Sequence, residues 1–298
     1  MKIDQIEKIL LDIYSKDTCY PLCKDNWNEN NKTLGHCAIV SLIINDYFKG
    51  DIYKIKVDGI SHYFNVINNE IIDLTANQFN KEIDYSNKIK KERKEIISDS
   101  DTLYRYNLLK TELELSLIDK DIHKCNLCSN MIEKFPNSKT VSIGKRNDIV
   151  ILGEAPANNG WRKSGIAWYD INHKLLPSGV ILQKLLNEIN LKLEDTYFLE
   201  AIKCYPKDRK YLNKCSENCK KYLLKQLEII KPKIVLALGD AATKSILDIK
   251  YKKFSDVVGK AFDVNEYKVI PIYHPSPISL LSYKGNIEIF KNIKEVLL

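Results

Sequence analysis

The pattern of apolar and polar positions changes character once along the chain. In the second half, four short aliphatic or β-branched runs, Asp148 to Gly153, Thr196 to Lys203, Lys233 to Gly239 and Lys268 to His274, stand at intervals. Each is followed by a stretch with helical periodicity: about Ser178 to Asn190, Glu217 to Ile230, Asp240 to Leu247 and Asn286 to Leu297. Strand then helix, four times over, predicts a three-layer α/β/α domain whose four-stranded parallel sheet is covered on both faces. Such sheets bind ligands beyond the carboxyl ends of their strands. Polar and special residues collect there: Glu154 to Asn159 after the first run, Glu200 and Lys203 on the second, Asp240 after the third, and His274 to Pro277 after the fourth. Four separate segments are thus expected to converge on one crevice.

The first half reads as a smaller α+β domain. It has a helix from Ile3 to Tyr14, a polar loop with Cys19 and Cys23, an apolar helix opening near Gly35-His36-Cys37, and a strand pair from Ile60 to Thr75. Between the halves, the charged run Lys88 to Glu95 and the helix formers of Tyr104 to Leu117 read as a helical connector. The expected division is residues 1–112 and 113–298.

Composition narrows the class of function. No apolar run approaches the roughly 20 residues a membrane span needs, and Met1 to Gln5 lacks the apolar core of a signal peptide. A cytoplasmic protein with no membrane partner is the expectation. Eight cysteines then argue against a disulfide framework and towards metal binding or nucleophilic catalysis. The net charge is +7, and Lys203 to Lys233 carries ten Lys or Arg against Asp208, Glu217 and Glu228. That stretch suits contact with phosphates, while oligomeric state is not encoded in any visible pattern.

Cys125 and Cys128 form a pair with a two-residue gap, but a zinc ribbon would place its second pair about 15 to 20 residues later. The available partners here are the distant Cys204, ending a core strand, and Cys219, opening the next helix, with Cys215 competing for the fourth place. Four thiolates gathered across a domain suit an iron-sulfur centre, with zinc the alternative.

With these residues in view, Cys125 to Leu298 resembles the iron-sulfur uracil-DNA glycosylases, families 4 and 5 of the uracil-DNA glycosylase superfamily. The resemblance runs in order through Cys125 and Cys128, Ile143 to Pro156 ending in Gly153-Glu154-Ala155-Pro156, Lys203-Cys204-Tyr205-Pro206, Cys219 with Leu223, Gln226, Ile230, Pro232-Lys233 and Leu238-Gly239, and Tyr273-His274-Pro275-Ser276. It implies a DNA glycosylase that flips a base from single- or double-stranded DNA and hydrolyses its N-glycosidic bond. It also implies a 4Fe–4S cluster on Cys125, Cys128, Cys204 and Cys219, the register favouring Cys219 over Cys215. Catalytic roles fall on His274, Glu154 and Asn158 or Asn159. Base contacts fall on Ala155, on Trp168 as the stacking platform and on Glu200, and DNA contacts on Pro275, Ser276, Pro277 and Lys203, with Leu280 and Leu281 as an apolar wedge.

Two departures qualify this. The family usually follows Gly-Glu-Ala-Pro with glycine and acidic residues that position water, whereas this chain reads Ala157-Asn158-Asn159-Gly160-Trp161. Glu200 lies where the family has a base-reading Asn. A carboxylate accepts hydrogen bonds and repels carbonyl oxygens, so it favours a base edge carrying an amino group over plain uracil. Alternatively, Glu200 merely pairs with Lys203 or Arg209. A module that binds nucleic acid without catalysis is a second reading of the domain.

Residues 18–79 resemble the small YunG family through Thr18-Cys19-Tyr20-Pro21, Trp27, Leu34-Gly35-His36-Cys37-Ala38, Ser61 to Asn65, Asp73-Leu74-Thr75 and Gln78-Phe79. The order Cys37, His62, Asp73 also looks like papain- or transglutaminase-type enzymes, in which a thiolate at a helix start is activated by a histidine. A two-residue turn at Asn68-Asn69 would make His62 and Asp73 diagonal neighbours on one sheet face. On that reading the amino-terminal domain is a cysteine hydrolase or transferase, targeted to DNA by the other half; the plain alternative is a buried cysteine beside a hairpin histidine.

Overall fold

The computed structural model describes residues 2–297. The chain divides between Ser116 and Leu117 into two units, a point that falls inside one long helix.

The amino-terminal unit begins with α1 (Ile3–Ile13) and α2 (Cys37–Phe48). A four-stranded sheet follows, made of β1 (Asp51–Val57), β2 (Ile60–Ile67), β3 (Glu70–Ile72) and β4 (Ile89–Lys91), in the order β3-β2-β1-β4. The short α3 (Arg93–Ile97) then leads to α4 (Ser100–Lys124). Helix α2 is apolar nearly all round and buries Ile39, Val40, Leu42, Ile43 and Ile44, as a helix covered on every side must. Asn68 and Asn69 both take positive φ, 51° and 67°, and close the tight turn that pairs Ile67 with Glu70. Two strands were not anticipated. Strand β1 follows α2 after only Lys49 and Gly50, and β4 is three residues of the charged run read as a helical connector. Edge strands tolerate lysines, so β4 carries no hydrophobic signature.

The carboxy-terminal unit comprises β5 (Ile132–Glu133), β6 (Val141–Ser142), β7 (Arg146–Gly153), α5 (Trp161–Ser164), α6 (Pro177–Asn187), β8 (Thr196–Glu200), β9 (Tyr205–Pro206), α7 (Leu212–Ile230), β10 (Ile234–Leu238), α8 (Gly239–Ile246), β11 (Phe262–Val264), β12 (Tyr267–Ile272), α9 (Leu281–Lys284) and α10 (Ile287–Leu297). Its main sheet has the order β11-β12-β10-β7-β8-β6. The four central strands are the four expected from sequence, and they run parallel. The sheet is larger than expected, because the short strands β11 and β6 add antiparallel edges. Leu182, Leu185, Leu186 and Ile189 pack one face of the sheet with Ile149, Ile151, Phe198 and Leu236, which is why α6 shows helical spacing and the strands show unbroken apolar runs.

The chain passes from β7 to β8 on one side, then returns across β7 to β10 and on to β12. The switch point therefore lies between β7 and β10, where an open α/β sheet leaves a crevice beyond its strand ends. Among the described residues no helix is long and apolar enough to cross a membrane.

Candidate active sites and a cysteine-lined cavity

A cleft of about 480 Å³ opens at that switch point, lined by Gly153, Glu154, Ala155, Trp168, Phe198, Glu200, Arg209, Leu238, Gly239, Asp240, Ala241 and His274. Gly239 turns the chain from β10 into α8 with φ +79°, a conformation that favours glycine, and its absent side chain leaves room beside His274. Trp168 also has a positive φ, 70°. Its indole lies 4.5 Å from the Phe198 ring, and the two aromatics form an apolar wall. His274 stands exposed at the mouth. The protein packed behind it disfavours the charged imidazolium and lowers its pKa, against the pull of Glu154.

Glu200 closes the floor at 2% exposure. Trp161 Nε1 donates to its Oε1 at 2.6 Å, while Oε2 has no hydrogen-bond partner. The nearest cation is Arg162, whose Nη1 lies 3.8 Å from Oε2 and which itself donates to Lys203 O at 3.0 Å and Ser138 Oγ at 3.0 Å. Burial raises the pKa of Glu200, opposed by Arg162, by the Trp161 N–H and by Lys203. Lys203 does not contact solvent. It is 1% exposed and its ammonium donates to the Glu200 carbonyl oxygen, so the expected DNA contact from this lysine is corrected: it is an internal prop beneath the strand end. Burial lowers its pKa to about 8. Of the two partners considered for Glu200, Lys203 reaches only its backbone, and Arg209 pairs with Glu154 at 3.4 Å instead.

Asn158 and Asn159 are exposed outside the cleft lining, and Asn158 Oδ1 accepts from Lys163 at 3.1 Å. Asp240 lines the cleft, but its oxygens accept from Tyr251 at 2.6 Å and Lys244 at 2.7 Å. Beyond His274, Pro275 is buried, Ser276 is half-buried and Pro277 is exposed. The same loop projects Ile278 and Leu280 at 91% and 90% exposure, with Leu281 at 48%. Lys207, Arg209, Lys210, Lys214, Lys220 and Lys221 are also exposed.

Cys125, Cys128, Cys204, Cys215 and Cys219 line one small cavity with Ile122, Ile132, Ile202 and Tyr222. The two-stranded pairing of β5 with β9 joins the chain just after Cys128 to the chain just after Cys204, which explains how residues so far apart in sequence meet. The thiols have few protein partners: Asn218 Nδ2 lies 3.1 Å from Cys128 Sγ, and the Lys203 amide 3.5 Å from Cys219 Sγ. Among the described residues, no group of three or more His, Cys, Asp or Glu side chains is arranged to hold a single metal ion. A soft all-sulfur donor set spread around a cavity fits a multi-iron core, which separates its ligands more widely than one ion does.

The amino-terminal unit has its own constellation. His62 is fully buried, with Nε2 2.5 Å from Asp73 Oδ2 and Nδ1 3.0 Å from Gln78 Nε2. Asp73 also accepts from Tyr85 at 2.9 Å and from the Thr75 amide and hydroxyl at 3.0 and 3.1 Å. Cys37, 9% exposed, is the first residue of α2, its thiol 4.0 Å from Ser61 O and close enough to His62 to favour the charged ring. Burial works against a charged His62, but the bond to Asp73 and the nearby Cys37 outweigh it and lift its pKa to about 9.

An α/β fold with a parallel central sheet and a cleft at its switch point, walled by aromatics and with a histidine at its mouth, sets the class of the larger unit. The family model "Uracil DNA glycosylase superfamily" matches residues 142–297, over half of the chain, and the chain belongs to that superfamily. It is 29% identical over 170 residues to the type-4 uracil-DNA glycosylase of Archaeoglobus fulgidus and 30% identical over 167 residues to that of Thermotoga maritima, each alignment covering 54% of this chain and 81% of the relative. The family model "YunG protein" matches residues 2–117. There the chain is 36% identical over 74 residues to the uncharacterized protein YunG of Bacillus subtilis, covering 25% of this chain and 64% of that one.

Sequence reasoning overlooked Phe198 in the cleft lining, Trp161 and Arg162 against Glu200, and Tyr85 beside Asp73. The signal available for Trp161 and Arg162 was their place five and six residues after the Gly-Glu-Ala-Pro turn. Tyr85 lies in an irregular segment that carries no periodic signal.

Proposed function

We propose that the carboxy-terminal unit is a DNA glycosylase that hydrolyses the N-glycosidic bond of a flipped base bearing an exocyclic amino group. Membership of the superfamily supports hydrolysis of an N-glycosyl bond. The observation that carries the choice of base is Glu200 in the cleft lining, with its Oε2 making no hydrogen bond and lying 3.8 Å from Arg162 Nη1. Arg162 is always protonated, and a neutral Glu200 would leave that buried guanidinium poorly compensated, so the carboxylate is the state we assign. An ionised carboxylate accepts from an amino group, as on cytosine or adenine, and repels the O4 of uracil.

In this reading the base leaves the stack and lies against Trp168 and Phe198 with Ala155 at its edge. His274, held neutral by its surroundings, donates an N–H to an acceptor on the base, O2 of a cytosine or a ring nitrogen of adenine, as negative charge grows on the departing ring. Asn158 and Asn159 are exposed and outside the cleft lining and Asp240 is occupied by Lys244 and Tyr251, so Glu154, which lines the cleft, is assigned to orienting the attacking water. Ile278, Leu280 and Leu281 fill the gap left in the duplex, Pro275 to Pro277 fix the loop, and the exposed lysines of 207–221 meet phosphates. Cys125, Cys128, Cys204 and Cys219 would hold a 4Fe–4S cluster, tying the start of the unit to the loop past β8 and to α7, since Cys204 lies beyond the strand it was expected to end and Cys219 lies within, not at the start of, its helix. Cys215, on the same cavity wall, is not among the family ligands.

The test is mass-spectrometric detection of free bases released from oligonucleotides containing uracil, cytosine, modified cytosines or adenine. One amino-bearing base released by the wild type, and lost by about a hundredfold or more in His274→Ala, supports the proposal. Release of nothing by either protein overturns it in favour of a DNA-binding module. For the cluster, protein purified without oxygen should show broad visible absorption that is lost in Cys125→Ser; zinc without that absorption overturns it.

A further inference from the structure

We infer that the amino-terminal unit carries a second active site, independent of the first: a thiol site in which Cys37 attacks the carbonyl carbon of an amide, His62 exchanges its proton, and Asp73 orients His62. Three segments distant in sequence build it: the start of α2, the middle of β2 and the chain just past β3. The hairpin turn at Asn68-Asn69 brings the last two together.

The arrangement is directional. Asp73 occupies Nε2 of His62, so a thiol proton can be taken only at Nδ1. Gln78 Nε2 donates to Thr75 O at 2.9 Å and lies 3.0 Å from Nδ1, a contact that suits the neutral ring waiting beside a thiol, while the bond to Asp73 and the nearby Cys37, which lift the pKa of His62 to about 9, suit the imidazolium formed once the thiol has given up its proton. A base with its lone pair beside a thiol and a carboxylate behind it is the arrangement that activates a nucleophile. Cys37 also sits where the first N–H groups of a twelve-residue helix have no intrahelical acceptor, and there the helix dipole favours a thiolate. The same free amides are available to an oxyanion.

A structural cysteine in the same unit shows the contrast. Cys19 is fully buried, donates its thiol to Leu34 O at 3.2 Å and is pushed up to about 11, mainly by burial. Gly35, at φ +75°, allows that packing, because a Cβ there would stand 2.8 Å from Cys19 Sγ. Cys37 has no comparable acceptor: Ser61 O is 4.0 Å away. A merely buried thiol needs no histidine, and burying a His–Asp pair behind one is costly unless the pair is used.

The reaction balances with water alone. His62 Nδ1, released from Gln78, takes the thiol proton, and sulfur bonds to the substrate carbonyl carbon. The C–N bond breaks as His62 returns the proton to the leaving amine. Water then attacks the thioester, the C–S bond breaks, and the free acid and the Cys37 thiol are produced.

The test uses the full chain with two small probes, iodoacetamide and p-nitrophenyl acetate, read by site-resolved mass spectrometry at neutral pH. Cys37 should be alkylated about tenfold or more faster than Cys23, which is more open to solvent, and should carry the acetyl group as a thioester. Asp73→Asn, close in shape, should slow acetylation of Cys37 about tenfold or more while the circular dichroism stays native, and His62→Gln should slow it further. Labelling of Cys37 no faster than Cys23 in the wild type overturns the inference without any variant. Acetylation unchanged in folded Asp73→Asn overturns the role of Asp73.

Discussion

Two buried carboxylates in this chain have opposite hydrogen-bond accounts. Both Asp73 oxygens are taken, Oδ1 by Thr75 twice and Oδ2 by His62 and Tyr85. Glu200 has Oε1 taken by Trp161 and Oε2 left without a hydrogen bond. A saturated carboxylate has nothing to offer a ligand, so its influence passes through the histidine it holds. A half-saturated one is expensive to bury until something arrives to complete it. On the proposed readings the difference separates a group that positions from a group that reads.

Replacing Glu200 with Gln puts the largest strain on that distinction. The amide can donate as well as accept, so preference for an amino-bearing base over uracil should shift by about 10- to 100-fold towards uracil, read as the ratio of release rates on paired oligonucleotides. Equal uracil release by wild type and variant would sink the reading role of Glu200. Next in size, Trp161→Phe leaves both Glu200 oxygens without a hydrogen bond and should cost about 1 to 3 kcal/mol in urea unfolding. No loss of stability would mean the Trp161 bond contributes nothing net.

The smallest effect concerns His62. Its folded pKa, about 9, lies above the ordinary 6.5, so the folded state binds this proton more tightly than the unfolded chain does. The stability it contributes is complete below about pH 6.5 and is lost as pH rises through about 9. The titratable groups acting on it are Asp73 and Cys37, with Tyr85 hydrogen-bonded to Asp73 and Tyr14 buried near both. Amide exchange of the β2 strand should therefore quicken over that window in the wild type and change less in Asp73→Asn. An identical pH response in the two proteins would remove Asp73 from the account.

The periodic parts of the fold were legible in the sequence. The four parallel strands announced themselves because a strand buried on both faces must be apolar throughout, and α6 and α7 because one face of each is buried. Strand β4 was illegible because an edge strand of three residues with two lysines has no buried face to advertise it. Lys203 was misread for a related reason: a basic residue in a basic stretch looks solvent-facing, and only the end of β8 turns it inward onto the Glu200 carbonyl. The five-cysteine cavity was partly legible, but the pairing of β5 with β9 that closes it involves two residues from each strand, too few to leave a pattern.

Sequence alone determined the chemistry on offer: a thiol ahead of a histidine and an acid, a set of distant cysteines, and a glutamate on the second strand of the parallel sheet. It also determined the doubly covered parallel sheet and the turn at Asn68-Asn69, because local backbone preference and hydrophobic period act over a few residues. Tertiary structure decided which groups were satisfied. Hydrogen bonds from Trp161 to Glu200, from Tyr85 to Asp73 and from Lys203 to a carbonyl depend on close contacts, several between residues far apart in the chain, and no local period records them. Those contacts make one carboxylate a prop and leave the other with an oxygen to offer.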